Sequence, residues 1–327
     1  MRAAVYLGEG AVRIEEREVP RPGPGEVLVA MRACGICGSD LMQWYQDPRA
    51  PVVLGHEPVG VVLEAAGDEL PQPGTRVFIH HHVPCGACEY CRRGHETLCD
   101  TFKATRIEPG GFSELILVPA LNAALDLLTL PDHVSDEAAT LIEPLACCVR
   151  GLDRARVDDT TRLLVIGGGQ MGLLIAEAAL ARGAEVTVAE PREDRRALAT
   201  SLGARGVEPT AEAVGSPTVV MLATGAAAAW ALALASADRG GIIQLFAPSG
   251  PGERRDFGVD DLFFRELEIQ ASYSAGPRDT RAALALIADG HISADKLITH
   301  RFPLEETEAA LAAARSKEGI KVVVTSA

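Results

Sequence analysis

With 327 residues, 47% of them apolar, the chain is long enough for about two domains, each with its own core. Lysine and arginine number 31 against 45 aspartates and glutamates, a net charge of −14, which disfavours attraction to nucleic acid or anionic lipid and points to small-molecule partners. No apolar run reaches the ~18–20 residues that a membrane span needs, and the N-terminus, acidic from Glu9 on, lacks a secretory pattern, so a cytoplasmic protein that does not engage membranes is expected.

The first 150 residues or so carry β-branched runs broken by glycine and proline, at Glu26–Gly35, Pro51–Gly67, Thr75–Gly86 and Gly110–Pro119, the pattern of an irregular antiparallel β domain. From Thr161 the texture changes. A strand at Thr161–Gly167 leads into a helix at Gln170–Gly183, then come a strand at Ala184–Glu190, a helix at Pro191–Gly203, and strands at Pro217–Gly225 and Gly241–Ala247. Strands alternating with helices predict a doubly wound parallel sheet. An alanine-rich helix near Ala226–Ala237 follows the same alternation, and after Ser274 come two amphipathic helices, Arg278–Gly290 and Leu304–Ser316, and a last strand, Ile320–Ser326.

Cys85, Cys88, Cys91 and Cys99 read C-x2-C-x2-C-x7-C. Two-residue gaps let turns aim successive thiolates at one ion, and four sulfur ligands leave zinc no open position, which makes this a structural site. In a cytosolic chain metal is a better reading of such a cluster than disulfides. Elsewhere stand Cys37 in GICGSD, His56 and Glu57 in GHEPVG, and Glu143 in IEPLACC. One thiolate, one imidazole and one carboxylate are the ligand set of an open zinc site, with a fourth position for water or substrate.

The sequence LLVIGGGQMG places Gly167, Gly169 and Gly172 as G-x-G-x-x-G after an apolar strand and at the start of a helix. The first glycine permits the tight turn, the second lets backbone approach a pyrophosphate, and the third lets helix meet strand. Glu190 ends the next strand, 18 residues past Gly172, where a carboxylate accepts hydrogen bonds from both ribose hydroxyls and repels a 2′-phosphate, favouring NAD over NADP. Arg195, with Arg192 and Arg196, offers the opposing possibility of pairing a 2′-phosphate, against the simpler reading of a solvated helix face.

In order along essentially the whole chain, GICGSD, GHEPVG, the cysteine quartet, GGFSE, EPLAC, the glycine loop and the terminal GIKVVV resemble the zinc-containing alcohol, sorbitol and threonine dehydrogenases of the medium-chain dehydrogenase/reductase superfamily. The resemblance implies a GroES-like catalytic domain, residues 1–148 and 276–327, and an inserted Rossmann domain, 149–275, with the active site in the cleft and dimers or tetramers pairing through the cofactor domains. Cys37 and His56 match the two catalytic zinc ligands. Glu57 and Glu143 both match positions that reach the metal, and which one binds at rest stays open. Asp40 matches a carboxylate that supports the zinc-bound histidine. Phe246, Lys321 and the segment Ala223–Ala226 match positions near the dinucleotide.

The implied reaction is hydride transfer between a secondary alcohol and NAD through a zinc-bound alkoxide, since zinc makes a hydroxyl acidic near neutral pH. Ser39 matches the hydroxyl that starts the family's proton relay. Met42 stands where many members continue that relay with histidine, a departure that puts the usual route in doubt. By its offset from Cys85, His81 falls where relatives place a pocket-lining aromatic, and alternation in a strand would turn it away from His80 and His82. His81 is therefore a candidate to contact a polar substrate or carry its proton; otherwise the three histidines simply lie on an edge strand. The GHE and EPLA segments resemble the sorbitol, threonine and sugar-alcohol branches, which, with the few aromatics, implies a polyol, sugar, cyclitol or hydroxy-amino acid as substrate. Two alternatives are an NADP-linked aldehyde or ketone reductase on the same scaffold and a non-catalytic binding member of the fold.

Overall fold

The computed structural model describes residues 1–67 and 69–326. It contains two compact units, one comprising Met1–Pro144, Ala275–Asp289 and the stretch from Ser293 on, the other Leu145–Ser274 with Gly290–Ile292. No helix among the described residues is long and apolar enough to cross a membrane.

The first unit is built on a curved sheet ordered Ile298–Pro303, Lys321–Thr325, Val27–Gly35, Glu57–Ala65, Arg76–Ile79 and Leu127–Thr129, with Leu115–Val118 also pairing to Val27–Gly35. Every pairing in it is antiparallel except that between Ile298–Pro303 and Lys321–Thr325. The central strands turn alternate residues inward, so Val27, Val29 and Met31 join Val62, Val77, Ile79, Phe112 and Ile116 in one core. Two register shifts, between Leu28 and Val29 and between Met31 and Ala33, interrupt the pairing of Val27–Gly35 with Glu57–Ala65. A smaller sheet, Ala11–Glu16, Arg2–Gly8 and Val52–Val53, covers the same core.

The second unit is a parallel sheet ordered Arg205–Val207, Glu185–Ala189, Arg162–Ile166, Val219–Leu222, Ile242–Leu245 and Glu268–Ala271. Its inner strands are almost wholly apolar because helices cover both faces, as a doubly wound sheet requires. The chain runs outward from Arg162–Ile166 to one edge and then returns to build the other, so the order reverses at the C-terminal end of that strand, the position where such sheets take a dinucleotide.

Three local expectations change. The strand leading to the histidine run stops at Ile79, so His80, His81 and His82 follow it rather than lie in it. Arg205–Val207 and Glu268–Ala271 are strands that the pattern did not announce. Both are short edge strands, only partly buried, and lack the continuous apolar run that betrays the inner ones.

Candidate active site

Antiparallel pairing assembles the first cluster. Gly35, the last residue of Val27–Gly35, is registered opposite Glu57, the first residue of Glu57–Ala65. Cys37, two residues past the first strand, therefore meets His56 and Glu57, at the start of the second. Gly55 makes the entry turn with φ +87, and a side chain there would press on Phe112 and Cys34, so both conformation and space call for glycine. Ligand atoms of Cys37, His56 and Glu57 all lie within 4.8 Å of one another, near enough for one ion to touch all three.

Asp40 ties the segments together. Its Oδ2 accepts the Cys37 N–H at 3.0 Å and its Oδ1 lies 3.3 Å from His56 Nδ1, which leaves His56 Nε2 to face the cluster. Ser39 Oγ stands 3.4 Å from that Nε2. Burial disfavours the charged form of His56, but Asp40 and Cys37 outweigh it and hold the imidazole well above its ordinary range. Burial pushes the Glu57 carboxyl up, Lys321 pulls it back, and nearby buried Glu143 pushes it further. Glu57 Oε1 is buried with no hydrogen-bond partner. A thiol, a ring nitrogen and a carboxylate with one unpartnered oxygen, brought together in this way, suit zinc.

Lys321, expected near the dinucleotide, reaches the cluster. It is fully buried in the first unit, donating to Glu57 Oε2 and, at 3.0 Å, to the Ile36 carbonyl. No sequence signal announced this contact, because it joins strands that are not neighbours. His81 lies with its ring 4.9 Å from that of His56, and its Nδ1 is buried without a partner. Burial, with His82, His56 and His80 adding to it, keeps His81 well below the usual imidazole range and hence neutral. His80 turns elsewhere, its Nδ1 2.7 Å from buried Asp126, and His82 bonds to the Thr105 carbonyl. The rings do not part as strand alternation would have them: the His81 ring lies 4.2 Å from that of His82 and 5.5 Å from that of His80, because the strand has already ended at Ile79.

The quartet is local. Sγ atoms lie 3.5 Å apart for Cys85 and Cys99, 3.5 Å for Cys88 and Cys91, and 3.9 Å for Cys85 and Cys91. Disulfide sulfurs sit at about 2.0 Å, whereas zinc at the centre of four sulfurs, with bonds of about 2.3 Å, requires S···S edges of about 3.8 Å. Burial opposes ionisation of Cys99, yet the N–H groups of Cys85 and Phe102 and the thiols of Cys85 and Cys88 bring it down to about 6.

In the second unit Gly167 takes φ +108, Gly169 caps the helix Gln170–Leu180, and a Cβ on Gly172 would collide with the Gly167 carbonyl. Glu190 is buried, with Oε2 accepting the Gly168 N–H at 2.7 Å and Oε1 that of Arg192 at 3.0 Å, which points its carboxylate at the loop. Arg192 pairs with Asp194 at 2.7 Å, and Arg196 donates to the carbonyls of Glu190 and Pro191. Arg195 reaches within 3.9 Å of where a Gly169 Cβ would be. Phe246 follows the strand Ile242–Leu245 and lies against Gly151.

Two family models match the chain: residues 23–132 the alcohol dehydrogenase GroES-like domain, and residues 171–289 the zinc-binding dehydrogenase domain. D-altritol 5-dehydrogenase of Agrobacterium fabrum is 33% identical over 94% of this chain and 94% of its own. The chain belongs to the zinc-dependent medium-chain dehydrogenase/reductase family. Its other relatives include the sorbitol dehydrogenase of Bombyx mori, 30% identical over 98% of this chain and 97% of that protein. Among solved structures, a Sinorhizobium meliloti protein described as a zinc-binding dehydrogenase and bound to NADP superposes with a TM-score of 0.89 at 29% identity, over 99% of this chain and 98% of that one. The family's GroES-like β domain and Rossmann-type parallel sheet are the two units described above, and the chain is an alcohol dehydrogenase-type oxidoreductase.

Proposed function

We propose that this dehydrogenase oxidises a secondary alcohol within a polyol, sugar or similarly polar molecule with NAD, using zinc held by Cys37, His56 and Glu57, while Cys85, Cys88, Cys91 and Cys99 hold a second, structural zinc. The observation that carries the reading is the convergence of three ligand atoms, within 4.8 Å, on a carboxylate whose Oε1 has no other partner. Glu57 is the resting third ligand, because it belongs to that cluster and Glu143 does not. Zinc bound there supplies Lewis acidity toward the alcohol or carbonyl oxygen.

The chain's own groups do the rest. Asp40 fixes the tautomer and orientation of His56. Ser39 Oγ, 3.4 Å from His56 Nε2, takes the hydroxyl proton of a substrate bound at the cluster and hands it on. Met42 cannot be its next carrier, so the proton continues by another path. His81, neutral and with Nδ1 unpartnered, is placed to bond a second substrate hydroxyl, a group that polyols have and simple alcohols lack. Gly167, Gly169 and Gly172 let backbone N–H groups approach a pyrophosphate. Glu190 accepts from the ribose hydroxyls, and with Arg192 and Arg196 engaged elsewhere a 2′-phosphate has little to pair with besides Arg195, which favours NAD.

Curated relatives that act on D-altritol and sorbitol support the substrate class, and the NADP-bound neighbour makes the cofactor choice the point to test. We also propose a homo-oligomer formed through the second unit, supported by exposed Phe263 and Phe264 beside the edge strand Glu268–Ala271. The test is initial-rate kinetics with NAD and NADP over a panel of polyols, sugars, cyclitols, threonine and simple secondary alcohols, with and without a chelator. Chelator-sensitive turnover of a polar secondary alcohol, faster with NAD, is expected. Preference for NADP, or turnover that survives removal of the metal, overturns the reading.

A further inference from the structure

Lys321 opens the strand Lys321–Thr325 and Glu57 opens Glu57–Ala65, but Val27–Gly35 runs between them, with Gly35 registered against both Val323 and Glu57. Neighbouring strands lie about 4.8 Å apart, so a side chain that meets its partner two strands away crosses roughly 10 Å over the residue between. Gly35 is what lets it cross. A Cβ there would overlap Glu57 Oε2 and stand 2.7 Å from Lys321 Nζ, so the pair occupies the space where a side chain would be. The ammonium then divides itself between Glu57 Oε2 and the carbonyl of Ile36, the residue before Cys37, and so touches both limbs of the cluster at once.

Glu57 is left with one oxygen spent and one orphaned. A carboxylate with both oxygens free can chelate an ion and fill two of its positions, whereas an open site needs three protein donors and a place left for substrate. We infer that Lys321, reaching across Gly35, is a positioning residue that confines Glu57 to donating Oε1 alone and thereby keeps the fourth position of the metal open. The inference rests on Cys37, His56 and Glu57 being the metal site. A buried ion pair that served only to fill space would leave the metal's coordination indifferent to its loss.

Cobalt replaces zinc in such sites and reports its geometry in its visible d–d bands, which are strong when four-coordinate and weaker when a further ligand enters. The full-length protein is loaded with cobalt, and subtracting the spectrum of Cys37→Ser isolates the Cys37 site from the quartet. In Lys321→Met the isolated bands should fall to about half or less, as Glu57 turns both oxygens to the ion. Gly35→Ala, which retains both charges but displaces them, should move the bands the same way. The quartet's thiolate charge-transfer band, unchanged, shows that each variant is folded. Bands unaltered in a folded Lys321→Met or Gly35→Ala protein overturn the role of Lys321 while leaving the site standing. Failure of the unaltered protein to bind cobalt beyond the quartet overturns both.

Discussion

The first unit carries two metal-ligand clusters built in opposite ways. The quartet lies within residues 85–99, folded by short turns whose backbone N–H groups meet the sulfurs, and Cys85 is exposed. The triad of Cys37, His56 and Glu57 hangs on the register of two long strands, with Asp40 and Lys321 holding its members from either side and Glu57 fully buried. Local spacing suffices to close a shell of four identical donors. An open shell needs a sheet, because its ligands must be held in place without the last position being filled.

The difference is sharpest in activity. Cys37→Ser should lower kcat/KM on the order of 10³-fold, the loss of several kcal/mol of transition-state stabilisation, while the quartet keeps its zinc and Tm stays near that of the parent. Retained activity together with a lost metal would break the distinction. Asp40→Ala, which frees both Cys37 and His56 from their shared support, should weaken zinc at the triad about 10–100-fold and leave the quartet untouched; chelator competition followed by metal analysis separates the two.

His81→Phe is a finer probe. It should reduce kcat/KM about tenfold for a polyhydroxylated alcohol and hardly at all for a simple secondary alcohol; equal losses on both would remove His81 from substrate recognition. Cys99→Ser is the mirror experiment and should have the smallest effect on catalysis: kcat/KM of the folded fraction within about threefold, but Tm lower by about 5 °C. A collapse of kcat/KM with Tm intact would mean that the quartet does more than support the fold.

Legibility in the sequence follows the same division. The C-x2-C-x2-C-x7-C spacing and G-x-G-x-x-G after an apolar strand could be read directly, because each is a short segment whose geometry is set by neighbours in the chain. Cys37, His56 and Glu57 could be proposed as a ligand set from residue type, but only the family resemblance matched them to ligand positions, since no local pattern says that Gly35 will face Glu57. Lys321 shows the limit. Its motif suggested the dinucleotide and said nothing of the ammonium lying on Glu57 across an intervening strand, a contact created by sheet order alone. The histidine run shows the same limit: alternation would have turned His81 away from its neighbours, but the strand ends at Ile79, the His81 ring lies 4.2 Å from that of His82, and the His80 ring is fixed by Asp126 of the helix Ala120–Asp126.

The most direct measurement is anomalous diffraction at the zinc edge from crystals of the zinc-loaded protein. The account predicts two peaks per chain: one within bonding distance of all four quartet sulfurs, the other bonded to Cys37 Sγ, His56 Nε2 and a single oxygen of Glu57. A lone peak at the quartet, or a second peak bonded to Glu143 in place of Glu57, would contradict it.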